Sequence, residues 1–224
     1  MSPAHAQRNP DALYADRANL SSARAAAAAW TDELGRNPQS FDAAWKLARA
    51  DYWLGGHAPQ GERRAFLEQG IDAGRHAASA QPNRAEGHFW IAANMGALAE
   101  SFGLRQGLKY RKPIRDELEK VLAIDPAFQA GSADRALGRW YFKVPGLFGG
   151  SNTHAEEHLR ASLAYDPHST ISHLFLAEVL IDEHRTAEAR AELQLVLDAP
   201  LNRDWVPEDT EYKARARNLL ATLR

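Results

Sequence analysis

Four prolines punctuate this chain at nearly constant intervals, and that spacing limits what the chain can fold into. Pro38, Pro82 and Pro126 are each 44 residues apart, and Pro167 follows after 41. Each closes a similar phrase: GRNP, SAQP, AIDP and AYDP. Proline has no N–H to give a helix and disfavours helix at the residue before it, so a helix ends at each phrase and another begins beyond it. A further proline, Pro200, comes 33 residues later. A breaker recurring at roughly 34–45 residues is the pattern of stacked helical hairpins. No strand pattern of any length competes with it.

The elements between the breakers follow from apolar spacing and capping residues. A short helix near 11–18 precedes a long one near 20–36, with Asn19 as its N-cap. The second hairpin is expected at 40–54 and 61–80, broken by Gly55-Gly56 and Pro59. The third is expected at 83–101 and 112–124, with a long connection from Gly103 to Lys112 that has room for a helical turn. The fourth spans 128–143 and 152–165, the fifth 169–183 and 186–198. A last helix near 207–223 opens on Pro207, where proline is tolerated. Its Tyr212, Ala216, Leu219, Leu220 and Leu223 form an apolar stripe suited to capping a stack. The fold class is therefore all-α: an array of about five helical hairpins with a C-terminal capping helix. It reads as one domain over residues 1–224, with residues 1–10 as a flexible N-terminus.

Composition narrows the function classes. The net charge of −2 gives the chain as a whole no reason to bind nucleic acid. There is no cysteine, which removes disulfides, thiolate chemistry, cysteine zinc sites and the lipid-accepting cysteine of a bacterial lipoprotein. No apolar run approaches the roughly 20 residues of a membrane helix. Ala4-His5-Ala6 before Gln7 has the form of a signal-peptide cleavage site, with no apolar core ahead of it. A removed leader would place the chain in a periplasm or outside the cell; otherwise it is cytoplasmic.

The stretch Asp125–Gly150, DPAFQAGSADRALGRWYFKVPGLFGG, carries the most specific pattern. Ala133, Leu137 and Tyr141 mark one apolar helix face. Leu137-Gly138 followed by Tyr141 matches the L-G-x-x-Y core of a tetratricopeptide first helix. Through LGRWYFKVPGLFGGS (Leu137–Ser151), and a later YKARARNLL at Tyr212–Leu220, the chain resembles the T-component family of tripartite ATP-independent periplasmic (TRAP) transporters. The resemblance covers roughly Ala43 to Leu220. It implies an all-helical, tetratricopeptide-like protein that associates with the solute-binding subunit of an uptake system. The lipoprotein cysteine of the pattern is missing.

Two constellations bear on chemistry. His154-Ala155-Glu156-Glu157-His158 reads as H-x-x-E-H, which puts two histidines on one helix face with a glutamate able to act as base. No third ligand is evident, and charged residues on a solvated helix face explain the motif more simply. No metal or cofactor is expected, and the chain is read as a non-enzyme, with a metal hydrolase as the distant alternative. His57, His76, His88, His168, His173 and His184 are scattered. Gly146, Gly149 and Gly150 form a glycine-rich loop ahead of a helix capped by Ser151, Asn152 or Thr153. The loop is either an anion site or, more simply, a tight connection whose glycines allow backbone angles that side chains resist.

The other constellation comes from stacking the first helices of successive hairpins by their prolines. Lys46, Trp90 and Arg135 then fall near equivalent positions. Ala50, Asn94 and Arg139 lie one turn on, and Trp53, Ala97 and Phe142 follow, with Lys143 beside them. Helical spacing puts Arg135, Arg139 and Phe142 on a face distinct from the Ala133/Leu137/Tyr141 face. Such a groove suits a carboxylate-bearing ligand or an acidic segment of a protein partner. The opposing reading is that Trp90 and Phe142 pack against neighbouring hairpins while the arginines are solvated. The function expected is binding: a scaffold, an accessory of TRAP-type uptake or a general peptide adaptor.

Overall fold

The computed structural model describes residues 9–223. Those residues form eleven α-helices and a 3-10 turn, with no strand among them. The N-terminal segment 1–10, expected to be flexible, lies largely outside the described residues, and Ala4-His5-Ala6 lies wholly outside them. Packing sorts the chain into two compact units, the first ending at Leu98 and the second starting at Ala99.

The first unit contains α1 (Pro10–Ala15), α2 (Leu20–Arg36), α3 (Phe41–His57), α4 (Gln60–Ala80) and most of α5 (Ala85–Ser101). Helix α2 packs on α1 and α3, and α3 on α4. Local sequence explains the starts. The Asn19 side chain accepts from the Ser21 N–H at 3.0 Å, and Ser40 caps α3 through Ala43. Gly55-Gly56 does not break α3, which continues to His57. A Cβ on Gly55 would lie 2.3 Å from a Leu67 methyl, so this glycine lets α4 approach closely. Pro59 supplies the stop.

The second unit contains the end of α5, then α6 (Leu104–Ile124), α7 (Ser132–Lys143), α8 (Asn152–Tyr165), α9 (Thr170–Asp182), α10 (Thr186–Asp198) and α11 (Val206–Thr222). Helix α7 pairs with α8 and α9 with α10, while α11 lies on α9 and α10. Its Ala216 joins Leu174, Ala177, Leu193 and Val196 in one buried cluster, with Tyr212, Leu219, Leu220 and Leu223 at its margin. That is the capping stripe read from the sequence.

Two boundaries differ from the sequence reading. Helix α6 begins at Leu104 and carries Pro113 inside it, so the expected long connection is mostly helix. Buried Tyr110, Ile114, Leu118 and Val121 hold that helix against its unit, which outweighs the local cost of the proline. Helix α7 starts at Ser132 because Gln129, Ala130 and Gly131 all adopt positive φ in the turn before it. The first helices α3, α5 and α9 start three residues after their proline, whereas α7 starts six after Pro126.

The loop after α7 is a tight connection built on a 3-10 turn, Gly146–Phe148. The Ser151 N–H donates to the Tyr141 carbonyl at 2.9 Å, and the Ser151 side chain caps α8. Gly149 has φ of 100°, a left-handed conformation that favours glycine. Gly150 has no positive φ; its need is for space, since a Cβ would sit 1.6 Å from the Val144 oxygen. Gly146 requires neither, for its Cβ direction is open. Gly150→Ala is therefore expected to destabilise the chain by at least about 1 kcal/mol through displaced backbone, read as a lower melting temperature. An unchanged melting temperature would show that the loop opens without cost.

Asp51 on α3 is fully buried, and among the described residues neither carboxylate oxygen has a hydrogen-bond partner. Burial pushes its carboxyl up to about 8 from an ordinary 3.8. Between those values the folded chain keeps a proton that the unfolded chain releases. Stability is thus greatest below the lower value and falls as pH rises towards the higher one. The slope should reach about 1.4 kcal/mol per pH unit. Denaturant melts across that range should show this decline in wild type and its loss in Asp51→Asn. Equal slopes in the two proteins would mean that Asp51 is ionised in the folded chain.

Candidate functional site

The second unit brings one row of charges together across three successive first helices and the cap. Arg139 on α7 donates from Nε and Nη2 to the two carboxylate oxygens of Glu100 on α5, at 3.0 and 2.7 Å. Its Nη1 donates to Glu178 on α9 at 2.6 Å. Glu178 also pairs with Arg215 on α11. The Arg139 guanidinium lies over the Phe175 ring, 4.5 Å from its centre. Burial works against the Arg139 charge, but Glu100 and then Glu178 outweigh it and raise the pKa. Arg139 sits 39 residues from each glutamate it binds. Each of these three charges follows a leucine and a small residue, Leu98-Ala99-Glu100, Leu137-Gly138-Arg139 and Leu176-Ala177-Glu178, with Glu100 in the last turn of α5 and the other two further inside α7 and α9.

The remaining residues of the expected groove are placed as follows. Arg135 is half-buried one turn before Arg139. Phe142 is partly buried against the cluster of Ala155, Leu159, Leu176 and Leu180, so it serves packing. Lys143 ends α7 one turn beyond Arg139, its ammonium 4.9 Å from the centre of the Phe142 ring. Partial burial and then the Arg139 charge lower its pKa, while Glu100 and Glu178 oppose them. No described carboxylate pairs with Lys143. In the first unit, Lys46 pairs with Asp11 at 2.8 Å, at the edge of a cleft of about 350 Å³ shared with Trp30, Glu33, Arg36 and Asp42. Trp90 is 2% exposed, against the rings of Tyr52 and Phe89. Asn94 is fully buried and donates to the carbonyls of Ala48 and Trp90 at 3.0 and 2.8 Å, tying α5 to α3.

Proline alignment pairs Arg139 with Asn94. The ion pairs instead join it to Glu100 and Glu178, which stand 18 and 11 residues after their own prolines where Arg139 stands 13 after Pro126. Proline spacing misses the two glutamates for that reason, and Arg215 lies on α11, beyond the proline series. The repeated Leu-Ala/Gly-charge triplet is the signal that could have found the two glutamates.

The residues of the H-x-x-E-H motif are all engaged on or near α8. His158 Nδ1 is 2.7 Å from Asp134, with Tyr141 stacked on its ring. His154 pairs with Glu157, and Glu156 holds Arg185 and Arg160. The Arg185 bond, against some burial, lowers the Glu156 pKa. Among the described residues no group of three or more His, Cys, Asp or Glu side chains is placed to hold a metal.

Comparison with known proteins bears on the whole chain. Residues 8–148 match the family profile described as "Regulator of microtubule dynamics protein 1-3", and residues 150–223 match a tetratricopeptide-repeat profile. Among solved structures, a thermophilic tetratricopeptide-repeat protein of Thermus thermophilus is similar, with a TM-score of 0.72 and 22% identity. The match covers 96% of this chain and 100% of that one. The protein MamA is also similar, with a TM-score of 0.53 and 13% identity over 89% of this chain and 95% of its own. At those identities the likeness shows the fold alone. No curated protein matches.

The pairing of Arg139 leads to a stability prediction. Glu178 has 10% and Arg139 14% of its side chain exposed. Arg139→Ala removes the neutraliser that Glu100 and Glu178 share and leaves a largely buried carboxylate with Arg215. The expected loss is about 3 kcal/mol, as for breaking a buried pair from one side. Denaturant unfolding measures it. A loss below about 0.5 kcal/mol, as for an exposed pair, would show that the row is solvated.

Proposed function

The chain belongs to the regulator of microtubule dynamics protein 1-3 family, and on that footing we propose that it is a non-enzymatic, tetratricopeptide-like scaffold for a protein partner. The partner docks along the Glu100–Arg139–Glu178–Arg215 row, with Lys143 at its end. The observation that carries this reading is the contrast within α7. Arg139 is neutralised by two glutamates of its own chain, while Lys143, one turn on, has a depressed pKa and no described carboxylate. A carboxylate brought by a partner would gain a charge-assisted hydrogen bond with the Lys143 ammonium. The row itself offers both signs, which favours a polypeptide of mixed charge over a small anion.

The TRAP-accessory reading rests on the resemblance at residues 137–151. In this fold that stretch has structural work: Gly138 admits Leu159, and Gly150 admits the Val144 carbonyl. The resemblance is thereby explained by hairpin packing, and the scaffold reading needs no transporter. The family's description makes tubulin the first partner to try.

Affinity capture with wild type and Lys143→Glu, followed by titration of purified tubulin and of any captured protein, tests the proposal. Wild type should retain a partner that Lys143→Glu binds roughly tenfold more weakly or worse, with equal melting temperatures. A partner bound equally by both proteins would place the docking surface elsewhere.

A further inference from the structure

We propose that the first half of α6, together with the 3-10 turn Gly146–Phe148, is a docking surface for an anionic lipid bilayer. This goes beyond the scaffold reading and uses different residues of the second unit.

The surface begins with apolar side chains that the fold leaves bare. Leu104 is 69% exposed, Leu108 42%, Leu147 89% and Phe148 38%. On α6 the residues Leu104, Leu108, Arg111 and Arg115 follow four- and three-residue spacing and form one stripe. The later half of this stripe is covered. The Arg111 guanidinium lies 5.3 Å from the centre of the Phe148 ring, and that of Arg115 5.7 Å from the Trp140 ring. The earlier half, Leu104 and Leu108, lies two turns and one turn before Arg111 on the same face of α6, so the exposed leucines and the turn stand on either side of Arg111. They are surplus to the core, because α6 is anchored through another face by Tyr110, Ile114, Leu118 and Val121. Exposed large apolar side chains grouped around one arginine mark an interaction surface.

Charge selects the partner. From Leu104 to Arg115 the helix carries Arg105, Lys109, Arg111, Lys112 and Arg115 and no acid, in a chain whose net charge is −2. Lys112 and Arg115 are balanced by Asp116 and Glu119, one turn further along. Arg105, Lys109 and Arg111 have no carboxylate partner among the described residues. Three cations without a counter-charge therefore rim the leucines. A protein partner for Leu104 and Leu147 would need pockets matched to side chains that stand out from the surface. A fluid bilayer needs no such match: it receives protruding leucine and phenylalanine at the acyl boundary, while anionic headgroups meet lysine and arginine. Among the described residues no helix is long and apolar enough to cross a membrane, so the association is peripheral.

Flotation with vesicles of phosphatidylcholine and phosphatidylserine, against phosphatidylcholine alone, tests the proposal. The chain should float with the anionic vesicles, less so as salt rises, and should stay behind with the neutral ones. Leu104→Ser/Leu147→Ser should bind the anionic vesicles at least about tenfold more weakly. Both sites are exposed, so its melting temperature should match wild type. Arg105→Glu/Lys109→Glu should abolish the salt-dependent part. The proposal is overturned if wild type ignores anionic vesicles at low salt, or if the leucine variant floats as well as wild type. It is equally overturned if wild type is a dimer that the leucine variant converts to monomer, since a second copy would then cover the patch. Tubulin or captured-partner binding that persists in these variants separates this result from the fate of the scaffold reading.

Discussion

Everything in this fold depends on how closely the two helices of a hairpin approach. In α7 the approach is made at Leu137-Gly138, where a Cβ would lie 2.6 Å from Leu159 and 3.0 Å from the Ala155 carbonyl. In α3 a comparable contact is Leu54-Gly55, facing Leu67. In α9 it is Leu176-Ala177, both fully buried. The small residue brings the backbones together, and the leucine beside it then fills the space between helices at core density. Leu54, Leu67, Leu159 and Leu176 are accordingly among the most buried side chains of the chain.

In three helices the residue that follows such a leucine–small pair is charged: Glu100, Arg139 and Glu178. Packing of successive hairpins brings these scattered charges into an alternating row. The like charges Arg135, Arg139 and Lys143 on one helix would repel one another in isolation. Across the repeat Arg139 finds two carboxylates, which offset both that repulsion and the cost of burial. The arginine that looks most like a ligand contact in the sequence is therefore part of the frame.

The helices were largely legible. Asn19 marks the start of α2 because a side-chain acceptor there satisfies an otherwise free N–H. Helix α10 lies where its apolar spacing puts it, at Thr186–Asp198. The misreadings share a cause. Gly55-Gly56 and Pro113 are local breakers, yet α3 and α6 pass through them because tertiary burial exceeds a local penalty of about 1–3 kcal/mol. The candidate site was legible only in part for a related reason. Proline spacing counts residues along the chain, and Glu100, Arg139 and Glu178 stand 18, 13 and 11 residues after their prolines, so the count does not bring them together.

The sequence by itself determined the class of fold and its punctuation. Prolines lack the donor a helix needs, capping side chains supply acceptors, and apolar residues recur at helical spacing; all three act within a few residues of one another. Tertiary structure alone decided which charges meet and which side chains stay bare. Arg139 lies 39 residues from each of its glutamates, and Phe148 reaches Arg111 from another part of the chain. Such contacts depend on how one hairpin is rotated and shifted against the next. That rotation is set by backbone turns and close-packed glycines, whose effect is felt far along the chain from where they stand.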